Sequence, residues 1–135
     1  MRPLLFRVFV YGTLLVGEEN HFVAAPYIRN IQPGKVKGRL YNVGAYPALV
    51  VEEEGEVIGE WFTVTEEGLQ AMDELEEYEE GSQHNEYERV WIKDLEQPIE
   101  GYVYIYPKNK AAHLPLIPSG SWRHRHKNER RMRMK

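Results

Sequence analysis

The chain has 135 residues, enough for one domain with its own core, and its 42% hydrophobic and 28% charged residues are ordinary for a globular protein. It has no cysteine, which excludes disulfides, thiol catalysis and cysteine-based metal sites and fits a reducing cytoplasm. The net charge of −4 is uneven: residues 122–135 hold seven Lys/Arg and one acid, leaving 10 Lys/Arg against 20 Asp/Glu in residues 1–121, a balance that argues against nucleic acid as the main partner.

From the N-terminus, "LFRVFVYG" reads as a buried strand ending at the Tyr-Gly-Thr turn of residues 11–13. Arg7 interrupts the apolar stretch and no small-residue cleavage pattern follows, so a secretion signal is not expected. No apolar run reaches the roughly 18 residues of a membrane span. "EENHFVAAPYI" is a weak helix. "GKVKGRLYNV" reads as one half-exposed strand, "ALVVEE" and "EVIGEWFTV" as two more joined by a hairpin around Gly55, and "YERVWIKDL" and "EGYVYIYP" as late strands. Many strands and few helices predict an α+β fold built on a small, curved, barrel-like mixed sheet.

The helix predicted from Thr65 to Glu80 carries the most informative residue. Thr65 suits an N-cap, Glu66 and Glu67 suit the positive end of the dipole, and Gly81 suits a stop. At about 100° per residue from Leu69, the apolar stripe of Leu69, Met72 and Leu75 centres near about 300°. Glu76 falls inside it at about 340°, whereas Glu74 and Glu77 point away. A carboxylate on that face either becomes a base of raised pKa in a cleft, or reaches water or pairs with Arg89. Tyr87 and Arg89, two apart on an extended segment, share a face and line a pocket or form an ordinary structural pair.

Taken in order, "VFVYGTL", "GRLYNVGAYPALV", "GEVIGEWFTV", "MDELEEYEEGSQHNEYERV", "GYVYIY" and "IPSGSWR" resemble the gamma-glutamylcyclotransferase-like family, which includes AIG2-like proteins and gamma-glutamylamine cyclotransferases. Three positions depart from the family pattern. Met72 stands for the usual Leu, Glu77 for the usual Gly after the catalytic Glu, and Ser121 for a common Asp. The resemblance implies that Glu76 is the general acid/base of a cyclisation in which the substrate's own amine attacks its gamma-carbonyl carbon. It implies no metal and no cofactor. It also implies that the amides of Gly12, Thr13 and Leu14 bind the alpha-carboxylate or the oxyanion, with Tyr11, Tyr46, Tyr87 and Arg89 around the substrate.

The expected partner is a small gamma-glutamyl compound, with no nucleic acid and no membrane. The alternative is a non-catalytic small-molecule binding module on the same fold. Residues 1–121 are expected to form the domain and 122–135 a basic tail. His124 and His126 lie in a cationic stretch that disfavours a metal site.

Overall fold

The computed structural model describes residues 4–126. The first strand, β1 (Leu5–Val10), lies at the centre of the main sheet, and Val8, Phe9 and Val10 are all buried. Burial on both faces explains why it reads as a continuous apolar run rather than an alternation. A short helix, α1 (His21–Ala24), and a 3-10 turn over Ala25–Tyr27 replace the longer helix expected there. Pro26 sits in that turn, and the chain is already extended from Ile28.

The segment expected as one strand from Gly34 is two. The strand β2 (Ile28–Lys37) ends at Gly38, whose φ of 151° breaks the ladder, and β3 (Arg39–Asn42) leaves the sheet to pair with β4 (Pro47–Val50). The turn at Gly55 is present, with a φ of 91°, but it does not make a hairpin. The strand that follows it, β5 (Glu56–Thr65), pairs with β2 and β1 instead of β4. The last strands are β6 (Glu88–Lys93) and β7 (Glu100–Ile105). The order β2-β5-β1-β7-β6 makes a five-stranded mixed sheet in which only the β1–β7 pair is parallel. The α+β reading and the curved mixed sheet hold.

Asp94 joins the two edges of this sheet. It follows β6, and its Oδ2 accepts hydrogen bonds from the Lys35 N–H of β2 at 3.0 Å and from the buried Trp61 Nε1 at 2.9 Å. Beside it, Leu95 N–H donates to Lys35 O at 2.9 Å. The sheet therefore curls until β2 and the end of β6 meet, which is the barrel-like closure.

The helix α2 (Glu66–Leu75) packs Leu69 and Met72 into the core. Thr65 caps it by accepting from Gly68 N–H at 3.2 Å. It ends five residues earlier than Glu80. Glu77 adopts a φ of 53°, Tyr78 N–H returns to Asp73 O at 2.8 Å, and Glu77 N–H to Glu74 O at 3.1 Å. This double bond pattern is a Schellman stop, in which glycine usually takes the left-handed position. The departure at Glu77 thus leaves the helix end formed, with a side chain in a backbone conformation that costs it some stability.

The expected boundary after residue 121 runs through the core. Trp122 is 4% exposed, Arg125 stacks over its ring at 4.1 Å, and Arg123 donates to Val16 O at 2.5 Å. The chain is thus docked to this point, and the remaining basic positions from Lys127 on lie outside the described residues.

Candidate active site

A cleft of about 200 Å³ opens where β1 ends, between the turn after β1, the start of β4, the end of α2 and the segment before β6. Tyr11, Gly12, Thr13, Leu14, Tyr46, Glu76 and Tyr87 all line it. Arg89 does not. Its Nη1 donates to Asp73 Oδ2 at 2.6 Å, and its guanidinium lies over the rings of Tyr78 and Tyr102. Arg89 is thus neither a cleft residue nor the partner of Glu76. With Tyr104, whose hydroxyl donates to Asp73 Oδ1 at 2.6 Å, it holds the last turn of α2 in place.

Gly12 has a definite reason to be glycine. A Cβ there would lie 2.7 Å from the Pro47 ring. The missing side chain lets the Tyr-Pro-Ala turn pack against the Tyr-Gly-Thr turn, so the two form one wall of the cleft. The space opposite Gly12 is filled by Pro47 and is not a gap left for a ligand.

The segment after β1 is tied down by Asn20, itself a lining residue of the cleft, and by His21. Asn20 Nδ2 donates to Thr13 Oγ1 at 3.0 Å, Asn20 N–H to Thr13 O at 2.9 Å, and the His21 ring bonds Leu14 O at 2.9 Å. These contacts use carbonyls and the Thr13 hydroxyl. Among the described residues, the N–H groups of Thr13 and Leu14 donate to nothing. Backbone donors beside a cleft are costly to leave unpaired once water is excluded, so they suit an acceptor arriving with a ligand.

Glu76 is the C-cap residue just after α2, and it lines the same cleft as Thr13 and Leu14. No hydrogen bond or ion pair from the described residues reaches its carboxylate. Burial by the surrounding protein, and then the negative charge of Glu86, push its pKa up from 4.5 to about 7. The aromatic wall around it stays neutral. Burial, and next the charge of Glu76, raise the Tyr11 hydroxyl, which donates to Tyr104 O at 2.5 Å. The Tyr87 hydroxyl, also raised chiefly by burial, donates to Pro47 O at 2.6 Å.

Glu86 is a cleft residue that sequence reasoning missed. Its Oε2 accepts from Tyr46 OH at 2.6 Å and from Tyr106 OH. It lies in a segment without helix or strand periodicity, so no pattern singles it out. Its only sequence signal is its place next to Tyr87. Among the described residues, no group of three or more His, Asp and Glu is arranged to hold a metal ion, and no helix is long and apolar enough to cross a membrane.

Comparison with known proteins identifies the family. A Halalkalibacterium halodurans protein provisionally named a gamma-glutamylcyclotransferase is 42% identical over 89 residues, covering 64% of this chain and 79% of that one. The gamma-L-glutamyl-butirosin B gamma-glutamyl cyclotransferase of Niallia circulans is 35% identical over 112 residues, covering 80% and 71%. The solved structure of an AIG2-like protein from Mus musculus shares the fold, with a TM-score of 0.64 at 24% identity over 83% of this chain and 85% of that one. The model of the family "Gamma-glutamyl cyclotransferase, AIG2-like" matches residues 8–124, from within β1 to just past the docked Trp122. The chain belongs to the AIG2-like gamma-glutamyl cyclotransferase family.

Proposed function

We propose that this protein is a gamma-glutamylcyclotransferase-type enzyme that releases 5-oxoproline and a free amine from a gamma-glutamyl compound, with Glu76 as general acid and base. The observation that carries the reading is a carboxylate of pKa about 7 with no donor of its own, in one cleft with the unengaged amides of Thr13 and Leu14.

The substrate's alpha-ammonium cannot attack, so Glu76 first takes one of its protons. The freed amine nitrogen then attacks the gamma-carbonyl carbon, and a carbon–nitrogen bond forms as the five-membered ring closes. Negative charge gathers on the carbonyl oxygen, which the N–H groups of Thr13 and Leu14 stabilise. As the oxygen reforms its double bond, the original amide bond breaks, protonated Glu76 delivers its proton to the departing nitrogen, and the ring nitrogen gives up its second proton, which leaves on the free amine as an ammonium. A base with pKa near the working pH serves both transfers. Because the attack is intramolecular, most of the protein's task is to hold the substrate curled, and the rigid wall of Tyr11, Pro47 and Tyr87 suits that task. The class is acyl transfer from one amine to another within a single molecule.

The test is a panel of gamma-glutamyl compounds with 5-oxoproline as the readout. The wild type is expected to turn over at least one, and Glu76→Gln the same one about a thousandfold more slowly, with its thermal transition no lower than the wild type's. Binding of such compounds without turnover by the wild type would overturn the reading in favour of a binding module.

A further inference from the structure

We propose that Glu86 selects gamma-glutamyl compounds whose leaving amine bears a second, positively charged group, and that its carboxylate holds that cation in the cleft. This rests on the cyclotransferase reading of the same cleft and adds a substrate class to it.

The cleft is one-signed. Apart from tyrosines, its titratable lining residues are Glu19, Glu76, Glu77 and Glu86, with no Lys, Arg or His among them. The nearby cations are committed elsewhere. Lys110 Nζ donates to the carbonyl oxygens of Asn85 at 2.9 Å and Glu86 at 3.0 Å, and Arg89 is paired with Asp73. A gamma-glutamyl group is itself a zwitterion without net charge, so it does not balance such a surface. The balancing charge has to come from the other half of the substrate.

Glu86 is built to receive it. Tyr46 and Tyr106 both donate to the same oxygen, Oε2, which fixes the carboxylate and leaves Oε1 with no donor among the described residues. Two hydroxyl donors on one oxygen suit an ionised, acceptor-only carboxylate. The alpha-ammonium is the wrong cation for this position. It must lose a proton to Glu76, and a second fixed anion against it would hold that proton in place. A cation on the leaving half keeps its charge throughout, so Glu86 binds it without opposing the chemistry.

The experiment uses three gamma-glutamyl conjugates of similar length. Their amines are putrescine, n-butylamine and gamma-aminobutyrate, which leave a cationic, a neutral and an anionic end. With wild-type protein the expected kcat/KM order is cationic, neutral, anionic, with about tenfold between the first two, the size of one hydrogen bond to a charged group. Glu86→Gln is expected to erase the cationic advantage while changing the neutral conjugate far less. A flat wild-type order, or a preference for the anionic conjugate, overturns the proposal without needing the variant. An equal loss on all three conjugates in Glu86→Gln also overturns it, since Glu86 would then act on the shared glutamyl half. Release of 5-oxoproline in any of these cases leaves the cyclotransferase reading standing. No release from any conjugate by the wild type overturns this proposal and counts against that reading as well.

Discussion

Asp94 and Glu76 are both carboxylates held against the folded domain, one buried and one half-buried, and their surroundings treat them in opposite ways. Around Asp94, Trp61 Nε1 and the N–H groups of Lys35, Glu96 and Gln97 all donate at 2.9–3.0 Å. Burial there works to raise the pKa, but the hydrogen bonds from Glu96, Trp61, Gln97 and Lys35 win and hold it below the usual value. Around Glu76 no donor answers the burial, and the pKa rises to about 7. One acid is saturated with donors and closes a barrel. The other lines a cleft with no donor of its own, and that placement costs stability.

The comparison breaks most sharply at Glu76. Glu76→Gln is expected to lower kcat/KM on a gamma-glutamyl substrate about a thousandfold, within the range for a lost general base. The same change is expected to stabilise the fold. The folded-state pKa lies above the unfolded one, so between about pH 4.5 and 7 the folded protein binds more protons and stability falls as pH rises. The full penalty of about 3 kcal/mol is present above about pH 7, and the glutamine variant should recover it. Urea unfolding of both proteins at mildly acidic and mildly alkaline pH measures the difference, and a variant less stable than wild type at alkaline pH would contradict it.

Asp94→Ala should do the reverse. It leaves the Trp61 and Lys35 donors without an acceptor and should cost about 3 kcal/mol in urea unfolding. Turnover by the molecules that remain folded should stay near the wild-type value, and a selective loss of turnover would mean that the two ends of the barrel are coupled.

Smaller changes sharpen the contrast. Removing the charge of Glu86, the second cause of the raised Glu76 pKa, should move the acid limb of the pH–rate profile to lower pH. An unmoved limb in Glu86→Gln would leave burial as the whole cause. At the end of α2, Glu77→Gly should raise stability by about 1 kcal/mol, because the left-handed position of a Schellman stop favours glycine. A thermal transition lower than wild type would show that the Glu77 side chain contributes more than its backbone costs.

The features legible in the sequence are those set by local chemistry. The strand at residues 5–10, the Thr65 cap and the inward angle of Glu76 follow from periodicity and side-chain type. What could not be read depends on partners distant in the chain. Gly38 looks like any glycine in an alternating run until β3 is seen to leave for β4, and the turn at Gly55 joins strands that pair elsewhere because β2 takes the edge of β5. Arg89 carries no mark of its bond to Asp73, nor Gly12 of its contact with Pro47. Glu86 sits in a segment without periodicity and Asp94 at the end of a run that reads as strand, so neither the cleft role of the one nor the clasp made by the other is visible before the fold brings their tyrosine and tryptophan donors to them.

The most direct test of the central claim is the pH dependence of kcat/KM for 5-oxoproline release. Glu76 must be unprotonated to accept the substrate's proton. The account therefore predicts a rise with pH that bends to a plateau near about pH 7 in the wild type and is absent from the residual activity of Glu76→Gln. A profile that is flat through that range, or one that the glutamine variant reproduces, would contradict it.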